Sequence, residues 1–227
     1  MSKNRCNAPV VLRSIHARTN ELMAQPEPTT PLESLARTQA LLLYHIIRVF
    51  DCDIATRASA ERTQSALEDS AMALLAHVNF DVGAQLPPST ELPLHPLAAT
   101  RAFWRDWVFQ ESGRRTLIFT FFLLQAHRVL SGQPVSSCDG RLGMCHSFTL
   151  SAPLWHARSP VEFARAWSET SHLVVVNASL GKVMGEARAH HVDLFGKIVL
   201  TSIVGVDEAE GWFASRGGSL WGVVKGS

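Results

Sequence analysis

Hydrophobic residues recur at three- and four-residue intervals along most of the chain, the spacing of helices that bury one face. Leu35, Leu42, Leu43, Ile46, Ile47 and Phe50 follow it, with Arg37, Gln39 and Arg48 elsewhere on the wheel, and predict a helix over residues 33–50. Asp51 and Asp53 interrupt the pattern. Asp53 is placed to cap a second helix reaching Val78, with Ala66, Leu67, Ala71, Leu74 and Leu75 as its apolar stripe. Helices joined this closely should pack as a hairpin.

Pro87, Pro88, Pro93 and Pro96 make residues 83–96 a loop, because proline removes a backbone donor and breaks helix. A third helix is predicted from Ala98 to Leu130. Its first half carries Phe103, Trp104, Trp107 and Val108. In its second half Leu117, Ile118, Phe121, Phe122 and Leu124 cover most of the circumference, as in a surrounded helix.

Ser131-Gly132 ends that helix, and residues 133–146 read as a polar loop. Ser159-Pro160-Val161-Glu162 combines an N-cap, a proline at the first helical position and a capping-box glutamate, opening a helix through Trp167. Leu173-Val174-Val175-Val176 fits a short strand or the start of a buried helix equally well. Helix is expected again over His191 to Val204 and Asp207 to Ala214, before a glycine-rich tail. Residues 1–31 lack periodicity and end in Pro26, Pro28 and Pro31, the pattern of a disordered tail or linker. The expected architecture is all-α: an irregular multi-helix domain over residues 32–227, preceded by that tail.

Composition narrows the functional classes. The 227 residues are 46% hydrophobic and 18% charged, which suits a globular core. A formal net charge of +1 supplies no global field toward nucleic acid or an anionic membrane. The longest apolar run, residues 117–124, is much shorter than the roughly 20 residues that span a bilayer. No long apolar stretch follows Lys3 and Arg5, which argues against a secretory signal. Without secretion, Cys6, Cys52, Cys138 and Cys145 read as reduced thiols, and the sequon Asn177-Ala178-Ser179 carries no meaning.

Several groupings touch on chemistry. Ser179-Leu180-Gly181-Lys182 spells S-x-x-K, in which the lysine can activate the serine, but its companion S-D-N and K-T-G elements are absent and a helix start explains it better. His190, His191 and Asp193 offer metal-ligand atoms, although adjacent side chains on a helix point about 100° apart. Cys138, Cys145 and His146 lack a close C-x-x-C pair. Arg114 and Arg115 interrupt an apolar helix, and Glu111, three and four positions away, is within reach to neutralise them. No catalytic, cofactor-binding or metal-binding residue is therefore assigned, no cofactor is expected, and the chain is not expected to be an enzyme.

Four strings resemble a known family. Leu35-Ala36-Arg37-Thr38-Gln39-Ala40-Leu41-Leu42-Leu43-Tyr44, continuing through Ile46-Ile47-Arg48-Val49-Phe50-Asp51 to Asp53-Ile54, resembles the regulatory region of filamentous-fungal zinc-cluster transcription factors. So do Trp104-x-x-Trp107-Val108-Phe109-x-Glu111-Ser112-x-Arg114-Arg115-Thr116, then Phe148-Thr149-Leu150-Ser151-Ala152-x-Leu154-Trp155, then Val192-Asp193-x-Phe195-Gly196, in the same order. The resemblance implies an all-helical regulatory domain in a nuclear protein. Such a domain acts through partner contacts, self-association or effector sensing, here in control of a fungal biosynthetic gene cluster. The partners it implies are transcriptional machinery or a related zinc-cluster factor, or a second copy in a homodimer, and no membrane. The family's DNA-binding head resembles two C-x2-C-x6-C sets beside a basic stretch. Here only Cys6 and Lys3-Asn4-Arg5 stand near the start, so the resemblance covers the regulatory region without the zinc cluster and puts direct DNA binding in doubt. A second expectation, small-molecule sensing, requires a closed apolar pocket holding polar groups such as Arg115 or Gln125.

Overall fold

The computed structural model describes residues 7–50, 54–81, 91–134 and 147–221. These are overwhelmingly helical, with one small two-stranded sheet, so the protein is all-α. The cap expected at Asp53, the four cysteines, His146 and the prolines Pro87 and Pro88 lie outside the described residues.

Contacts divide the chain into two compact units. The first takes Met1–Val78 and Thr116–Gly143, the second Asn79–Arg115 and Met144–Ser227. The division falls within one helix, α4 (Ala98–Leu130). Its two halves differ in sequence: tryptophan and phenylalanine dominate the first, and aliphatic residues enter the core in the second.

In the first unit, α1 (Ala8–Ala24) stands where the disordered tail was expected. Its buried face runs through Ile15 and Thr19, and Leu22 and Met23 pack on the core one turn later. A threonine in the stripe hides the period. The Thr19 hydroxyl is buried at little cost because it donates to the Ile15 carbonyl at 2.8 Å. Next come α2 (Pro31–Phe50) and α3 (Ile54–Leu75), packed as the expected hairpin. Leu41 and Leu42 of α2, Leu67 of α3, and Leu123 and Leu124 of α4 form the core.

The buried face of α2 differs from the predicted stripe. Ser34, Leu35, Thr38, Leu41, Leu42, His45, Arg48 and Val49 are buried, whereas Leu43, Ile47 and Phe50 are 59%, 38% and 58% exposed. The hairpin selects the more polar face because its hydroxyls are matched across the interface. Thr38 Oγ1 lies 2.9 Å from Ser70 Oγ and 3.1 Å from the Ser70 carbonyl.

In the second unit, the first half of α4 joins β1 (Phe148–Thr149), α5 (Ala152–Trp155), α6 (Pro160–Glu169), β2 (Val174–Val175), α7 (Gly181–Glu186), a 3-10 turn (Ala189–His191), α8 (Leu194–Val204) and α9 (Val206–Ser215). The ambiguous valine run is thus strand. β1 and β2 pair antiparallel, Phe148 opposite Val175 and Thr149 opposite Val174. The core is aromatic: Trp107 lies 5.0 Å and Trp167 5.4 Å from Phe163, ring centroid to centroid, with Phe103 5.1 Å from Trp167. The capping box opening α6 forms as its sequence predicts, Ser159 Oγ accepting from the Glu162 N–H at 3.1 Å. Among the described residues no helix is long and apolar enough to cross a membrane.

Candidate functional site: a buried arginine–carboxylate cluster

The second unit holds two arginines and two carboxylates, all buried. Glu111, Arg114 and Arg115 lie on one face of α4 through their three- and four-residue spacing. One Glu111 oxygen accepts from Arg114 Nη1 at 2.9 Å. The other accepts from Arg115 Nε and from the Thr149 N–H, each at 3.0 Å. Arg114 Nε donates to the Asn79 carbonyl at 2.9 Å.

Arg115 uses all three of its guanidinium nitrogens. Nε meets Glu111, Nη2 donates to the Thr149 carbonyl at 3.0 Å, and Nη1 forms a short ion pair with Asp193. Its guanidinium carbon also lies 3.9 Å from the ring centre of Trp155 and 4.8 Å from that of Phe195, within cation–π range. Asp193 in turn caps α8, Oδ1 accepting from the Gly196 N–H at 2.8 Å. Gly196 has no room for a side chain: a Cβ there would sit 2.5 Å from Val192 Cγ1 and 3.2 Å from Leu150 Cβ.

Two buried cations therefore face two buried anions. Such a network binds separate elements together. Its charges cancel, each charged group is hydrogen-bonded, and removing one member leaves a bare buried charge. The pairing of Glu111 with both arginines agrees with the sequence reading. Asp193 does not: its sequence position beside His190 and His191 suggests a metal ligand, yet it is 3% exposed and pairs with Arg115. The sequence signal for its cap was Asp193 ahead of the apolar run of α8. Nothing local announces a salt bridge across 78 residues.

The remaining candidates lie apart from this cluster. His190 is exposed. His191 accepts from the Arg188 N–H at 3.4 Å, and burial, then the charges of His190 and Arg188, hold it below the usual imidazole range. Ser179 and Lys182 are both exposed, just before and within α7. Among the described residues no three His, Cys, Asp or Glu side chains are grouped to hold a metal. Of the polar groups named for a sensing pocket, Arg115 is packed against Trp155 and Phe195, and Gln125 is half-buried on α4.

Three of the four strings of the family resemblance end here. The α4 string supplies Glu111, Arg114 and Arg115; the Phe148 string supplies Thr149 and Trp155; the last supplies Asp193, Phe195 and Gly196. No protein-family model matches the chain, and no solved structure matches it. This chain is similar to a fungal transcription factor. Over 209 residues it is 27% identical to Transcription factor gsfR2 of Penicillium aethiopicum, an alignment covering 91% of this chain and 48% of that protein. The chain thus spans about half the length of this transcription-factor relative.

Proposed function

We propose that this chain is a nuclear regulator of transcription that works through protein contacts, in the control of a fungal biosynthetic gene cluster. The observation carrying this reading is the similarity to Transcription factor gsfR2 along 91% of the chain. The all-helical fold agrees with it.

A surface for such contacts is offered by Leu43, Ile47 and Phe50, which stand at i, i+4 and i+7 on the exposed face of α2. The test is a tagged chain expressed in a filamentous fungus, followed by nuclear fractionation and affinity capture. Nuclear accumulation with transcription proteins recovered, and their loss in the Leu43→Glu/Phe50→Glu variant, are expected. A cytosolic chain that recovers no transcriptional partner overturns the proposal.

A further inference from the structure

The chain contains two Ser/Thr-Pro dipeptides, Thr30-Pro31 and Ser159-Pro160, and both begin the pattern Ser/Thr-Pro-aliphatic-Glu. The two differ in surroundings. Ser159 is half-buried, and Phe163, one turn on, is fully buried. Thr30 is exposed, and so are Pro26, Glu27 and Thr29 before it. The chain leaves α1 at Gln25 with extended backbone (φ −69°, ψ 150°), and Pro26, Pro28 and Pro31 fix φ on the way to α2. Proline at 31 also biases Thr30 away from helical backbone. An exposed threonine hydroxyl followed by proline is the substrate chemistry of a proline-directed protein kinase.

We infer that Thr30 is a phosphorylation site for a proline-directed kinase, and that its modification rearranges the turn joining α1 to α2. In the transfer, Thr30 Oγ1 attacks the γ-phosphorus of Mg²⁺-bound ATP. The new O–P bond replaces the bond to the β,γ-bridging oxygen, ADP leaves, and the hydroxyl proton passes to a base of the kinase.

The rearrangement follows from what already occupies this turn. Glu33 Oε2 accepts from the Thr30 N–H at 3.0 Å, the Thr29 N–H at 3.1 Å and the Thr29 hydroxyl at 3.2 Å, and the Glu33 N–H donates to Thr30 Oγ1 at 3.3 Å. Hydrogen bonds from Thr30, then those from Thr29, hold Glu33 below its usual carboxylate range, so it is an anion here. A phosphoryl group carrying about −1.5 to −2 charges cannot share these donors with Glu33. It displaces the carboxylate and takes the N–H groups itself. Arg37, one turn further along α2, donates to the Pro26 carbonyl at 2.9 Å and lies 3.5 Å from Glu27. It is the cation of this turn that a second anion redirects.

The test is incubation of the full chain with a purified proline-directed kinase and Mg²⁺-ATP, read by tandem mass spectrometry and hydrogen exchange. A synthetic peptide of residues 25–34 serves as control. Expected are phosphate on Thr30 of the folded chain and at least tenfold slower modification of Pro31→Ala. A several-fold change in amide exchange over residues 25–37 is also expected, absent from Thr30→Ala. Modification of the peptide but not of the chain overturns the site. So does modification of Ser159 or Thr29 with none on Thr30, or no modification of either substrate by kinases active on a standard Ser-Pro peptide. Phosphorylation with unchanged exchange overturns the rearrangement.

Discussion

Each unit of the molecule buries a polar cluster, and the two are built on opposite terms. In the second unit Glu111, Arg114, Arg115 and Asp193 form a neutral set with hydrogen bonds on every charged group. In the first, His45 and His127 meet edge to face at 5.2 Å, 2% and 6% exposed. Both ring nitrogens of His45 and Nδ1 of His127 have no hydrogen-bond partner. Arg48, also buried, donates to the Thr63 hydroxyl at 3.3 Å and adds positive charge nearby. One cluster is stable because its charges are matched. In the other, His45 is buried with no hydrogen bond to either ring nitrogen, which favours its uncharged form. Burial first, then electrostatic repulsion from His127 and Arg48, pushes His45 down to about 4.

The largest effect is expected from breaking the matched cluster. Asp193→Ala leaves Arg115 buried beside Glu111 alone and uncaps α8, and should cost about 3–5 kcal/mol. Urea denaturation followed by tryptophan fluorescence measures it. A loss below about 1 kcal/mol would mean that the pair is solvated and that the contrast between the units does not exist.

The pH response comes next. His45 titrates near 4 when folded and near the ordinary imidazole value of about 6.5 when unfolded. Between those values the unfolded chain binds the extra proton, so stability is full above about 6.5 and falls as the pH drops toward 4. The loss should reach about 2–3 kcal/mol. His45→Phe should flatten that part of the stability profile, and an unchanged slope in the variant would remove His45 as its cause.

A smaller loss, about 1–3 kcal/mol, is expected for Gly196→Ala, because a methyl group there meets Val192 and Leu150. Gly211→Ala is the control, since a Cβ there meets nothing within 4 Å. Equal melting temperatures for the two variants would show that the α8 start is not tightly packed.

Ser159→Ala should have the least effect, about 1 kcal/mol, through loss of the α6 cap. Hydrogen exchange should place that loss in residues 160–169; a loss spread evenly over the chain would contradict a local cap.

Where sequence and structure agree, short-range chemistry decided the matter. The extent of α4 from Ala98 to Leu130, the Ser159 cap and the Glu111 pairing all depend on residues within about one turn of each other. The missed features have partners far away or ambiguous faces. α2 has apolar residues on two faces, and local periodicity cannot say which one α3 covers. α1 was lost because Thr19 interrupts its stripe, although the hydroxyl is satisfied within its own helix.

The sequence alone determined that this protein is helical, where most helices begin and end, and that Arg114 and Arg115 needed a carboxylate close by. Those outcomes depend on helix periodicity and on the cost of burying an unpaired charge, both of which act over a few residues. Only the tertiary structure decided that Asp193 completes the cluster, that Trp155 and Phe195 pack against Arg115, and that Leu43, Ile47 and Phe50 face solvent. Each of these depends on which distant segments meet, and packing settles that for the chain as a whole.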